Sequence, residues 1–137
     1  HPLEVAKIVQ SVPHTNAMVA AAILHDVIED TEASYEDVAV NFGTLVADLV
    51  DELTDVSKPE DGNRAVRKAL DRAHLARASA DAQTIKLADV ISNTKDIKEN
   101  DPKFAKVYIP EMKALLEVLD NGDKTLMAEA EKQVFGK

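Results

Sequence analysis

Apolar residues recur three and four positions apart along nearly the whole chain, and only four of its 137 residues are glycine. Residues at that spacing share one face of a helix, whereas a half-buried strand would need alternation, and few β-branched alternating runs occur. The expected class is therefore all-α, with no strand. A chain of this length fits one ordinary domain, and a single bundle of about seven to eight helices over residues 1–137 is the expected architecture.

Local signals divide the pattern. A first helix is expected over Pro2–Gln10, with proline in its opening turn and Val5, Ile8 and Val9 on one face. The second starts at Asn16 as its cap and carries the apolar run Ala17–Leu24 into His25, Asp26, Val27 and Ile28. Ser34-Tyr35-Glu36-Asp37 reads as a capping box for a short third helix ending near Asn41-Phe42-Gly43, and a fourth runs to about Leu53. After the loop Lys58–Asn63, Asn63 caps a fifth helix, and Ala80–Lys95 forms a sixth. Asp101-Pro102 opens a long seventh helix that Pro110 should kink or split, and Asn121-Gly122-Asp123 marks a stop and restart before the last.

The absence of cysteine excludes disulfides, a thiolate nucleophile and sulfur-ligated zinc, so any metal must rest on His, Asp, Glu or water. The longest apolar run is far shorter than the roughly 20 residues of a membrane span, and no charged-then-apolar leader opens the chain; a soluble cytoplasmic protein is expected. It opens at His1-Pro2 without methionine, as a trimmed version of a longer chain would. A net charge of −9 argues against a broadly basic nucleic-acid face. The charge is unevenly spread, however. Residues 1–57 hold one cation against eleven acids, while Asn63–Ala88 holds Arg64, Arg67, Lys68, Arg72, Arg77 and Lys86 against Asp71 and Asp81. Either the first region holds cations and the second meets phosphate, or both are ordinary solvated helix surfaces.

His25 and Asp26 directly follow an apolar run that must be buried on at least one side, where an uncompensated carboxylate costs several kcal/mol. They suit either a metal, with one nitrogen and one oxygen, or a structural histidine beside a capping aspartate. Glu29 and Asp30 follow at i, i+4 from His25 and Asp26, so four ionisable groups crowd the end of a helix where its dipole disfavours anions. A divalent cation would balance them; a frayed, hydrated acidic end is the other reading. In the sixth helix, Lys86, Asp89 and Asn93 share a face, either as a metal ligand between a phosphate-binding lysine and an amide donor, or with Lys86 and Asp89 as an ordinary i, i+3 surface ion pair.

His1-Pro2, then His25-Asp26-Val27-Ile28-Glu29-Asp30-Thr31, then Lys86-Leu87-Ala88-Asp89 resembles the HD superfamily, specifically its Rel/Spo-type hydrolases and the small stand-alone alarmone hydrolases. Phe42-Gly43, Val46, Leu49-Val50 and Leu53-Thr54-Asp55 look like the same family, so the resemblance spans about residues 1–121. It implies an HD-domain helical bundle and a metal-dependent phosphohydrolase that removes the 3′-pyrophosphate from (p)ppGpp-type nucleotides. His1, His25, Asp26 and Asp89 would hold one divalent ion, usually manganese in this family, although such a donor set also suits Fe²⁺, Co²⁺ or Zn²⁺. Glu29 and Asp30 would orient water and move protons. Lys86, Arg64, Asn93 and Tyr108 would meet the nucleotide, Tyr108 standing equally well as a half-buried packing aromatic.

Two departures accompany the resemblance. The basic pair and tyrosine that alarmone hydrolases carry before the first histidine fall outside the sequence. Where relatives read Arg or Lys, a bulky residue and then His or Tyr, this chain has Val90-Ile91-Ser92. His14 and His74 match no ligand position and are expected at the surface or in helix packing. The resemblance leaves two rivals: an HD hydrolase of another nucleotide, such as ppApp or a nucleoside monophosphate, and an antitoxin-like module that binds a nucleotide or partner without turnover.

Overall fold

The computed structural model describes residues 1–29 and 31–136, apart from the side chains of Val27 and Glu29. Among these residues the chain forms eight α-helices and no strand: α1 Pro2–Gln10, α2 Asn16–Glu29, α3 Tyr35–Phe42, α4 Thr44–Leu53, α5 Arg64–Ala76, α6 Ala80–Asn100, α7 Pro102–Leu116 and α8 Lys124–Phe135. A single turn of 3₁₀ helix, Pro59–Asp61, lies in the expected loop. No described helix is long and apolar enough to cross a membrane.

Helix ends follow the side chains that can satisfy their free amides. Ser34 and Asp37 form the expected capping box, and Asn63 and Asp101 cap α5 and α7 through Val66 and Phe104. Three expectations need correction. The Thr15 hydroxyl accepts the Met18 amide at 3.2 Å, so Thr15 is the cap of α2 and Asn16 is its first helical residue. The sixth helix runs five residues past Lys95, because Ile97 still packs on the core and the Asn100 amide bonds back to Asp96 at 2.8 Å. Finally, Pro110 does not split α7, which is one helix from Pro102 to Leu116. That ring and Lys106, whose carbonyl it deprives of a donor, are both on the exposed face, where water can supply the missing bond.

The sixth helix is the axis of the molecule. It packs against α1, α2, α4, α7 and α8, and every residue from Ala82 to Ser92 except Lys86 is buried. A helix buried all round is ordinarily apolar all round, yet this one also encloses Gln83, Thr84, Asp89 and Ser92. Each therefore needs a partner. The Gln83 amide donates to the Leu75 carbonyl at 2.9 Å and its oxygen accepts the Asn121 amide at 2.9 Å, joining the end of α5 to the α7–α8 turn. Thr84 accepts the Asp123 amide at 3.0 Å. Gln83→Leu, which fills the volume but strands the Asn121 amide and leaves the Leu75 carbonyl only its backbone donor, should lower stability by roughly 1–3 kcal/mol in urea unfolding. A loss below about 0.5 kcal/mol would show that the stitch carries no stability.

Candidate metal centre

The side chains with unusual partners on α6 meet the starts and ends of two other helices. His1 immediately precedes α1, and its carbonyl accepts the Val5 amide at 3.0 Å, which sets the ring over the helix entrance. His25 and Asp26 lie in the last turns of α2, and Asp89 lies midway along α6. These three helices pack on one another. As a result His1, Asp26 and Asp89 each bring a donor atom to one place, all within 4.8 Å of one another. His1 Nε2 is 2.9 Å from Asp89 Oδ1 and 3.3 Å from Asp26 Oδ2. His25 stands beside this group, its Nε2 3.2 Å from Asp26 Oδ1 and 3.9 Å from Asp89 Oδ1.

Both imidazoles are oriented from behind. His25 Nδ1 faces the Ala22 and Ala21 carbonyls at 3.0 and 3.2 Å; a carbonyl only accepts, so Nδ1 carries a proton and Nε2 is the nitrogen turned to the cluster. His1 Nδ1 faces Ser92 Oγ at 2.9 Å. Ser92 stood out in the sequence only within Val90-Ile91-Ser92, where the chain departs from the family pattern, and nothing there pointed to this contact between residues 91 apart.

Electrostatics keeps the carboxylate charged. Burial pushes the Asp89 carboxyl up, but the Lys86 ammonium and the hydrogen bonds from His1 and Lys86 outweigh it and hold the group far below the usual carboxylate range. Lys86 Nζ donates to Asp89 Oδ2 at 2.9 Å. Burial pulls that ammonium down, and the charge of Asp89 more than offsets it, so Lys86 is firmly cationic at neutral pH. The hydrogen bond to Asp89, opposed by burial and helped by the charges of Asp89 and Asp26, raises His1. Two imidazoles and two carboxylates with no sulfur match the donor chemistry of a hard-to-borderline divalent ion.

The other candidates lie around Lys86. Tyr108 is buried, its phenol near Lys86, Asp89, Asn93 and Thr94; burial raises it, against Lys86, so it is neutral at physiological pH. Its ring is 6.0 Å from that of Phe104. Arg64, expected as a phosphate ligand, is held by Glu111 through two bonds of 2.7 and 2.9 Å and lies 5.4 Å over the Phe104 ring. Glu111 and Lys86 line a narrow cleft with Lys68 and Arg72. The signal for that pair was present, since Arg64, Lys68 and Arg72 follow at four-residue spacing on α5. His14 bonds the Val12 carbonyl and His74 the Asp51 carbonyl, as packing groups apart from the metal cluster. The Glu29 side chain and all of Asp30 lie outside the described residues.

Known proteins resemble this chain in sequence and fold. The family model described as "HD domain" matches residues 1–119. The guanosine-3′,5′-bis(diphosphate) 3′-pyrophosphohydrolase MESH1 of Drosophila melanogaster is 45% identical over 85 residues, which cover 62% of this chain and 46% of that protein. Its Xenopus tropicalis counterpart is 37% identical over 109 residues, 75% of this chain and 57% of the relative. The chain thus spans about half the length of these curated relatives. A solved metazoan ortholog of SpoT, described as hydrolysing ppGpp and acting in starvation responses, superposes with a TM-score of 0.84 at 31% identity, covering 99% of this chain and 79% of that one.

Proposed function

Because the chain belongs to the HD-domain family, we propose that it is a metal-dependent phosphohydrolase that removes the 3′-pyrophosphate from guanosine 3′,5′-bis(diphosphate)-type nucleotides in the cytoplasm. The observation that carries this reading is the meeting of His1, Asp26 and Asp89 beside His25, in a chain whose relatives are named for that reaction. In this reading those four residues hold one manganese ion. An ion bound there would supply a water of lowered pKa and polarise a phosphoryl oxygen.

The residues of the chain do the rest. Asp89 is pre-ionised by Lys86, so it offers a full negative charge without waiting for a proton to leave. Lys86 spends one N–H on Asp89 Oδ2 and keeps two others for phosphoryl oxygens of the 3′-diphosphate. Asn93 offers an amide to the nucleotide, and the neutral Tyr108 offers a ring edge and an O–H beside it. Arg64, already neutralised by Glu111, would meet a 5′-phosphate by exchanging one carboxylate oxygen for a phosphate oxygen. By their place four residues after His25 and Asp26 in the sequence, Glu29 and Asp30 orient the water and pass its proton toward the leaving 3′ oxygen. Water adds to phosphorus, the bond to the ribose 3′ oxygen breaks, and pyrophosphate and a nucleoside 5′-di- or triphosphate leave.

Metal-stripped protein incubated with ppGpp, ppApp and simple nucleotides, with and without Mn²⁺, tests the proposal by product analysis. Manganese-dependent pyrophosphate release from ppGpp is the expected result. Turnover confined to another nucleotide would overturn the substrate, and no turnover of any would overturn the reaction.

A further inference from the structure

We propose that Ser92 is a positioning residue of the metal centre, setting which nitrogen of His1 faces the ion. This rests on the reading of His1, His25, Asp26 and Asp89 as ligands. A neutral imidazole carries one proton, and His1 can present a lone pair from Nε2 only when that proton is on Nδ1. An Nδ1–H turned into the protein needs an acceptor. Ser92 Oγ lies 2.9 Å away, belongs to a residue only 3% exposed, and bonds no other group among the described residues. Its backbone is fixed within the most buried stretch of α6, three residues after Asp89, so one helical segment supplies both a ligand and the group that aims another.

The two histidines differ in a way that gives the serine its own role. A backbone carbonyl behind His25 can only accept, so that ring has one tautomer. A hydroxyl both donates and accepts. In the structure His1 Nε2 bonds to Asp89 Oδ1 while Nδ1 meets the Ser92 hydroxyl, which can turn its O–H either to donate or to accept. Once Nε2 faces an ion, the same oxygen accepts from Nδ1–H. Ser92 thus holds the ring in place through both states without a shift of the backbone.

The test uses Mn²⁺ itself, titrated into metal-stripped protein in competition with a fluorescent chelator, alongside thermal unfolding of the metal-free forms. Ser92→Ala should weaken Mn²⁺ binding about 10- to 100-fold, the usual effect of losing a partner behind a ligand, while Ser92→Thr, which keeps the oxygen, stays within about threefold of the parent. The unfolding midpoints of the metal-free proteins should stay together. Parent-like affinity in Ser92→Ala, or an equal loss in Ser92→Thr, would overturn the role of the hydroxyl while leaving the centre intact. A parent that binds no Mn²⁺ would overturn the centre, and this inference with it.

Discussion

Asp26→Ala should leave a folded protein that binds no Mn²⁺ and has lost at least about 10³-fold in kcat/KM, the scale of several kcal/mol of metal-derived stabilisation. Asp26 is the right residue for the test because it is the carboxylate between both imidazoles, 3.3 Å from His1 Nε2 and 3.2 Å from His25 Nε2, with its side chain 26% exposed. Water can replace it in the fold. Asp89 offers no such separation, since removing it strands the half-buried Lys86 cation, and breaking a buried ion pair costs about 3–5 kcal/mol of stability by itself. Metal titration, pyrophosphate release and thermal unfolding read the three properties independently. Turnover that survived Asp26→Ala would remove this cluster from the chemistry.

Glu29→Ala is expected to separate binding from chemistry. It lies one turn after His25 and supplies no donor to the metal set proposed above, so Mn²⁺ affinity should stay near that of the parent. The loss falls on kcat, by about 10²- to 10⁴-fold, the usual contribution of a positioned acid or base. Nucleotide KM should change little, because the group acts on water and not on the sugar or base. A parent-like kcat would show that proton movement runs through another residue, and a loss of metal would make Glu29 a ligand.

Much of the fold was readable because its punctuation is local. Ser34 with Asp37, Asn63, and Asp101 with Pro102 each satisfy amides within three residues, so a short window of sequence contains the whole interaction. The misreadings share a different origin. Whether Pro110 breaks α7 depends on which face it occupies, and whether α6 stops at Lys95 depends on what Ile97 touches; neither is written nearby. The site followed the same division. His25 and Asp26 stood out because charge after an apolar run is costly, but nothing in their spacing points to His1 or Asp89, and the ordered family motifs made that link. Ser92 and Glu111 escaped because their partners, His1 and Arg64, are 91 and 47 residues away.

The bond between His1 and Asp89 closes a circuit of 88 residues in a chain that has no cysteine. Small proteins often fasten such distant segments with a disulfide, which restricts the unfolded chain and is set by the redox state of its surroundings. Here the clasp is made of imidazole and carboxylate, so its strength rests on charge and geometry and not on the redox state of its surroundings. The residue that opens α1 is thereby latched to the central helix by groups of the proposed metal centre, so the seating of α1 and the assembly of that centre depend on one another.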